Sequence, residues 1–583
     1  MDLKKKPEWI IALLITAAIC ALHFYYWLNI GGLWRDEVNL IVLSHRNSFA
    51  DMAKDSFPVL MPLIVRFWFV IGLGGTDLHL RLIGLLVGLG TVAALWIGTW
   101  KIRREPPLIG LVLLCLNSTM IFFGDSLRAY GLGTVAAVML MAAGFIFLQK
   151  PSALRTAWLA LFAILSVQIL YHNAVLVAAV CFGAWAVCWR RMDGRAAIQI
   201  LIVAIVSAAS LLPYAHILGI LTSGQPTTLI FRTGATMYRL VLSCRDAIGY
   251  PLGGFIYVWG ALTLMIVICA CIGLWRSVTG KRRPASGTEP AFGRPADLEI
   301  GDTAGLETCA TLKADYSLFA SVTLLLGAIG FLLFFWRAQM PMQSWYLLPF
   351  MGLAVVCFDG ARPDFSGLLR PVFIALVAGT ALLSGLTTAD LLSRHFSDVN
   401  IFAKEIAQDA GPSDDILVYP WNWGITFNYY YKGATPWDTV PPIPDHSIHR
   451  VDLMLADMEN TNALAQTFEK IAQTLKAGHR VWFLGPASTQ VPKPGTPPPP
   501  SLPPPPLKFW GWSERPYSPV WDSQTLQFIA DHSQKFRQFK YSSLGIYLTE
   551  DMDIFMAEGW RTNQWKGRDG ALRKWRCHRR HRA

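Results

Sequence analysis

The chain has 583 residues, 53% of them hydrophobic and only 15% charged, with a formal net charge of +12. Soluble domains carry about 25% charged residues, so the composition excludes an ordinary water-soluble enzyme. The positive charge is spread over loops and the C-terminal end rather than gathered along one face, so no nucleic-acid partner is expected.

Long stretches without Asp, Glu, Lys or Arg run through the first two thirds: Trp9–Trp34, Leu82–Trp100, Pro106–Gly124, Ala129–Gln149, Thr156–Trp189, Ala196–Phe231, Ala247–Trp275, Tyr316–Trp336, Ala338–Phe358 and Pro371–Ala389. A spanning helix needs about 20 such residues. Thr156–Trp189 is long enough for two short spans hinged at the polar Tyr171-His172-Asn173. The pattern predicts about eleven spans, all before Ala389. The first run has an apolar core longer than the about 7–15 residues of a signal peptide and no small-x-small site after it, so it is read as a retained helix.

Basic loops set the orientation. Lys4-Lys5-Lys6 and the group Lys101, Arg103, Arg104 both belong on the cytoplasmic side. An even number of crossings must separate them, and Trp9–Trp34 and Leu82–Trp100 supply two. Phe57–Gly75, with Pro58, Pro62 and Arg66, is therefore expected to lie along the outer surface as an interfacial helix. Val38–Asp55 is a second, more polar one. Alternation then puts Asp36/Glu37, Asp125/Arg128, His172, the Arg232–Asp246 loop, Arg337 and everything from Asp390 on the outer side. Lys150/Arg155, Arg190/Arg191/Arg195, the Arg276–Lys313 loop and Arg362/Arg370 fall inside.

The expected domains are a transmembrane catalytic domain over 1–389 and a water-soluble α/β domain over 390–583. In the latter, Ile401–Gln408 and Asn460–Ala477 have helical spacing. Asp415–Pro420 and Arg480–Gly485 read as buried strands, and Phe536–Thr549 as a hairpin or edge strand. Residues 491–506 are proline-rich and read as an extended spacer. Residues 573–583 form a basic tail, suited to a disordered end or to anionic lipid. Most of the ten cysteines sit in apolar runs, and the tail domain holds only Cys577, so no disulfide framework and no structural zinc are expected.

Asp36 and Glu37 form an adjacent acid pair just past the first span. Carboxylates are costly near hydrocarbon, so such a pair points to work at the water interface. A carboxylate that takes a proton from a hydroxyl makes it a nucleophile. Arg and Lys suit a departing phosphate, and Arg35, His45, Arg46, Lys54 and Arg66 follow closely. Each residue also has a plainer role open to it. The acid pair can cap a helix, Asp125 can pair with Arg128 three residues on, and Arg81 can anchor a span end.

These residues resemble the GT-C superfamily of membrane glycosyltransferases, in the subgroup with the lipid A aminoarabinose transferase, the Rgt-type galacturonosyltransferases and, more distantly, the protein O-mannosyltransferases. The resemblance lies in Asp36-Glu37 after the first helix, the proline-containing Phe57-Pro58-Val59-Leu60-Met61-Pro62-Leu63, and the Arg81-Leu82 start of the second span. It continues in Gly124-Asp125-Ser126-Leu127-Arg128-Ala129-Tyr130 and the late Trp345-Tyr346-Leu347-Leu348-Pro349. The family often has His-Pro-Pro where Phe57-Pro58-Val59 stands here. The resemblance implies an α-helical polytopic GT-C fold with periplasmic interfacial helices and a C-terminal soluble α/β domain. It implies inverting transfer from a polyprenyl-phosphate sugar to a lipid, glycan or protein acceptor at the outer face of a bacterial cytoplasmic membrane. By that likeness Asp36 is the base, Glu37 orients it or helps shape the acceptor site, and Asp125 is a second acid near the acceptor or a metal. Arg128, Arg66, Arg81 and Arg337 face the lipid phosphate. No metal set is fixed by the residues; some relatives carry a divalent metal, and that question stays open. A competing class is a transporter or flippase, which usually shows internal repeats and broken helices near the midplane.

Overall fold

The computed structural model describes residues 6–53, 57–217, 237–279, 300–338, 342–363, 365, 367–492, 499–504, 514, 516–540 and 545–561. Lys4, Lys5, Lys54, Arg232, Cys577, the basic tail 573–583 and parts of the proline-rich 491–506 and of the Arg276–Lys313 loop lie outside the described residues. The chain divides into two compact units, the first running to Phe396 and the second beginning at Ser397.

In the first unit, nine helices among the described residues are long and apolar enough to cross a bilayer, from Pro7–Asn29 to Leu369–Leu392. Two more of the expected spans take other forms. Ala153–Ile169 is a 17-residue apolar helix, about 26 Å long at 1.5 Å per residue. It ends where Leu170 turns extended, and the next helix starts at Asn173, so the Thr156–Trp189 run breaks at the expected hinge. Asn173 closes the break by donating to Ser166 Oγ at 3.1 Å and to the Gly133 carbonyl at 3.4 Å.

Pro106–Gly124 does not form one helix. It runs as Leu108–Gly110, a π-turn over Leu111–Cys115, and Ser118–Gly124. The cause is local. The Leu116 amide reaches back five residues to Leu111, and Asn117 then restarts the helix by accepting the Thr119 amide at 2.9 Å. The Asn117 side-chain Nδ2 donates to the carbonyls of Ala247 and Tyr250 at 2.9 and 3.0 Å. Every residue from Glu105 to Tyr130 is buried. Broken helix is tolerated at such depth only when protein encloses it. Next to it, Ala129–Gln149 is the most enclosed of the nine helices, packed on Asp77–Arg103, Ala153–Ile169 and Leu348–Ala361.

Arg35–Ser44 and Leu60–Val70 have 10 and 11 residues. At about 15–17 Å they are too short to cross a bilayer core of about 30 Å, and they pack on each other. At the far end of the first helix, Glu8 meets Arg370 at 3.0 Å and Arg362 meets Glu105 at 2.7 Å. Arg103 also bonds Glu105 at 2.7 Å. Asp359 accepts the Ile109 and Gly110 amides at 2.9 and 2.8 Å, capping the start of the broken segment.

The second unit is built on a mixed sheet. Its strands are β1 (Asp415–Val418), β2 (Trp437–Thr439), β3 (Val481–Pro486) and β4 (Ser533–Lys540), followed by β5 (Ile546–Glu550), which lies outside this sheet, and β6 (Met552–Trp560). The order is β2-β1-β3-β6-β4, with β2, β1 and β3 parallel and the last two strands antiparallel. All four residues of β1 are buried, as expected of a parallel strand covered on both faces. Helices Val399–Asp409 and Ala465–Lys476 fall where the spacing predicts them, and Ser533–Lys540 is the edge strand. Helix Trp423–Tyr430 and strand β6 were not anticipated. Phe402, Ile406, Val418, Phe427, Trp482 and Ile554 belong to its core.

Candidate active site

Trp34 begins the helix Arg35–Ser44, and the Glu37 side chain reaches back to accept its amide at 3.2 Å. Asp36 and Glu37 thus occupy the first turn, where carboxylates oppose the positive end of the helix dipole. Neighbouring helical residues point about 100° apart, so the two acids face different surroundings. Glu37 is fully buried. Its Oε2 also accepts Arg81 Nη2 at 2.7 Å, and its Oε1 accepts the Leu127 amide at 2.8 Å. Arg81, equally buried on the helix Asp77–Arg103, donates further to the Gly32 carbonyl at 2.5 Å. One carboxylate therefore ties together the 32–37 segment, a spanning helix and the 125–128 turn.

Asp36 keeps 19% of its side chain exposed. Arg35 Nε lies 3.8 Å from one carboxylate oxygen and Arg128 Nη2 3.9 Å from the other. Arg128 Nη1 also donates to the Asp36 main-chain carbonyl at 3.1 Å. Arg128 precedes the helix Ala129–Gln149, and its guanidinium lies over the Phe57 ring at 4.4 Å and within 6.0 Å of the Tyr130 ring centre. Aromatic faces stabilise such a cation and fix its plane.

Around this pair stands a wall of rings. Trp34 meets Phe396 at 5.0 Å, Phe123 stacks on Trp345 at 4.1 Å, and Tyr130 meets Tyr346 at 5.6 Å. The late Trp345-Tyr346 motif thus lands beside the early acid pair, about three hundred residues away in the chain and one wall away in space.

The structure brings Asp36, Glu37, Arg81, Arg128 and the Asp125-containing turn together. It places the others differently. Arg66 is half-buried and donates to the Arg46 carbonyl at 3.4 Å. Arg337 is exposed at the end of the helix Ile300–Ala338. The Asp125 carboxylate is buried and faces His23 Nδ1 at 2.5 Å. His23 was not anticipated; the available signal was a histidine inside an otherwise uncharged span. Among the described residues, no three of His, Cys, Asp and Glu converge as a metal site requires.

No family model matches the chain, and no curated protein matches it. Solved structures are similar to it. One is the archaeal oligosaccharyltransferase AglB from Archaeoglobus fulgidus, in complex with an inhibitory peptide and a dolichol-phosphate, with a TM-score of 0.44 at 10% identity over 98% of this chain and 76% of that one. Another is ArnT from Cupriavidus metallidurans bound to undecaprenyl phosphate, at 0.33 and 14% identity over 93% and 97%. A third is the arabinofuranosyltransferase AftD from Mycobacteria, at 0.36 and 15% identity over 95% of this chain and 40% of that one. At these values no residue role passes from them to this chain.

Proposed function

We propose that the chain is a membrane glycosyltransferase that moves a sugar from a polyprenyl-phosphate donor to an acceptor hydroxyl, with inversion and with Asp36 as general base. The observation that carries this is the partly exposed Asp36 carboxylate beside the Arg128 guanidinium, on a frame fixed by the buried Glu37–Arg81 pair. In the reaction, Asp36 takes the acceptor's proton as its oxygen attacks the anomeric carbon. The bond from that carbon to the phosphate oxygen breaks on the opposite face, and the polyprenyl phosphate leaves with the electron pair. Arg128 meets the charge that grows on the phosphate; a planar, permanently charged guanidinium suits that role. Glu37 and Arg81 act as positioning residues. Arg66 and Arg337 are second candidates for the lipid headgroup. The acceptor is a lipid, glycan or protein presented from the water side, in a bacterial cytoplasmic membrane with the N-terminus cytoplasmic and the second unit outside.

Loss of a general base typically costs about 10²–10⁴-fold in rate. Mass spectrometry of cell-envelope glycolipids and glycoproteins tests the reading, comparing cells that carry the natural chain with cells that carry Asp36→Asn at equal protein level. A glycan-bearing species that disappears with the variant is the expected result. An identical envelope in both strains refutes the base assignment.

A further inference from the structure

His23 and Asp125 form a buried polar pair that the proposed chemistry does not use. His23 lies on the first spanning helix and is 1% exposed, and Asp125 is 3% exposed. Their Nδ1 and Oδ2 atoms are 2.5 Å apart. Ionisable groups inside a bundle are costly and are kept when they face one another and hold something in place.

What they hold is visible in the glycines around them. Gly84 and Gly88 lie one turn apart on the helix Asp77–Arg103. A Cβ at Gly84 would stand 1.7 Å from the Asp125 carbonyl oxygen. One at Gly88 would stand 2.2 Å from Asp125 Oδ1 and 2.6 Å from His23 Nδ1. A Cβ at Gly131 would meet the Gly124 carbonyl at 2.1 Å. The 124–131 turn is therefore seated on bare backbone, with its one carboxylate directed at His23. Two residues beyond Asp125, the Leu127 amide bonds Glu37, and three residues beyond it Arg128 bonds Asp36.

We propose that His23 and Asp125 are a pair of positioning residues, a latch that fixes the 125–128 turn so that Arg128 presents its guanidinium to the donor phosphate beside Asp36. This rests on the phosphate role given to Arg128 above. It takes Asp125 out of the acceptor site, since its carboxylate is enclosed and directed into the bundle.

The test is binding of undecaprenyl phosphate to the purified full chain in lipid nanodiscs, read together with thermal unfolding. The natural chain binds, and Arg128→Ala weakens binding by at least about tenfold. His23→Phe fills the same space without a polar atom and weakens binding about tenfold, whereas His23→Gln, which keeps a donor for Asp125, stays within about threefold of the natural chain. The double variant His23→Phe/Arg128→Ala binds no more weakly than Arg128→Ala, because both changes act through one element. If His23→Phe does not accumulate, Gly88→Ala carries the same test from the other side of the pair. Full binding by His23→Phe or Gly88→Ala, or additive losses in the double variant, overturns the latch while the function above stands. Failure of the natural chain to bind undecaprenyl phosphate overturns the phosphate role of Arg128, and the latch with it.

Discussion

Two adjacent carboxylates with different duties

Asp36 and Glu37 differ by one methylene and one position, yet their substitution should produce opposite phenotypes. Glu37→Gln keeps the shape and removes the charge. Three donors point at this carboxylate: the Trp34 amide at 3.2 Å, Arg81 Nη2 at 2.7 Å and the Leu127 amide at 2.8 Å. An amide has one acceptor oxygen to offer, and its NH₂ must face one of those donors. It also leaves the buried Arg81 without its counter-charge. Removing one partner of a buried ion pair costs about 3–5 kcal/mol. At about 2 °C per kcal/mol for large domains, thermal unfolding of the detergent-extracted chain should fall by about 6–10 °C. Asp36→Asn touches a partly exposed side chain and should stay within about 0.5 kcal/mol of the natural chain while losing transfer. The double variant Glu37→Gln/Arg81→Met should recover part of the stability, because no orphan cation remains. An unchanged unfolding temperature for Glu37→Gln, or a fall for Asp36→Asn as large as for Glu37→Gln, would refute the division of roles.

Three further outcomes are expected. An Arg35→Cys variant should react with a membrane-impermeant thiol reagent from outside intact cells; labelling only from the cytoplasmic side would invert the topology on which the site depends. Arg128→Lys keeps the charge and loses the plane that lies over Phe57, so undecaprenyl phosphate should bind about tenfold more weakly at unchanged unfolding temperature; equal binding would reduce Arg128 to a point charge. In the second unit, burial and then the neighbouring Asp438 push the Asp457 carboxyl up to about 7. The folded state then holds a proton that the unfolded chain releases near pH 4, so stability is fullest below that and falls as pH rises towards 7. Asp457→Asn should remove this dependence and gain about 1–2 kcal/mol at pH 8 after allowance for solvent screening, seen as slower proteolysis within Val451–Glu459 at pH 8 but not at pH 4. Equal rates for both chains at pH 8 would refute it.

What the residues disclosed and what they hid follows from the range of each interaction. Span positions, the hinge at Tyr171-His172-Asn173 and strands such as Asp415–Val418 depend on local hydrophobic patterning, which a single sequence displays. The break inside Pro106–Gly124 depends on Asn117 finding the carbonyls of Ala247 and Tyr250, and no local signal carries that. Within the site, the sequence puts Asp36 and Arg128 on the same side of the membrane, and the fold brings them together. Arg81 was placed among the phosphate ligands because its charge was visible and its burial was not; in the structure it is Glu37's counter-ion. His23 was overlooked because a lone histidine in an apolar run has no partner until the fold supplies Asp125. Strand β6 is hard to read because Asp553 and Glu558 interrupt its apolar run, while Met552, Ile554, Phe555 and Met556 are buried only by pairing with β3.

The depth of these groups bears on where the chemistry takes place. Arg81 and Arg103 mark the two ends of one helix, Asp77–Arg103, and at 1.5 Å per residue about 33 Å of axis separates them. That matches a hydrocarbon core of about 30 Å. Arg81 belongs to the Glu37 cluster and Arg103 to the Glu105–Arg362 cluster, so the charged groups of this helix gather at opposite faces of a bilayer. Gly88, beside the His23–Asp125 pair, lies about 10 Å further along the axis than Arg81, under the surface rather than at it. A lipid phosphate sits at headgroup depth, level with Arg81 and therefore with the Asp36–Arg128 pair that Glu37 holds beside it. A polyprenyl phosphate would meet Arg128 without leaving the bilayer, and an acceptor hydroxyl would meet Asp36 without entering it. The proposed chemistry at this boundary needs a base that water can reach and a cation that water does not screen, and the partly exposed Asp36 next to the ring-packed, buried Arg128 suits both.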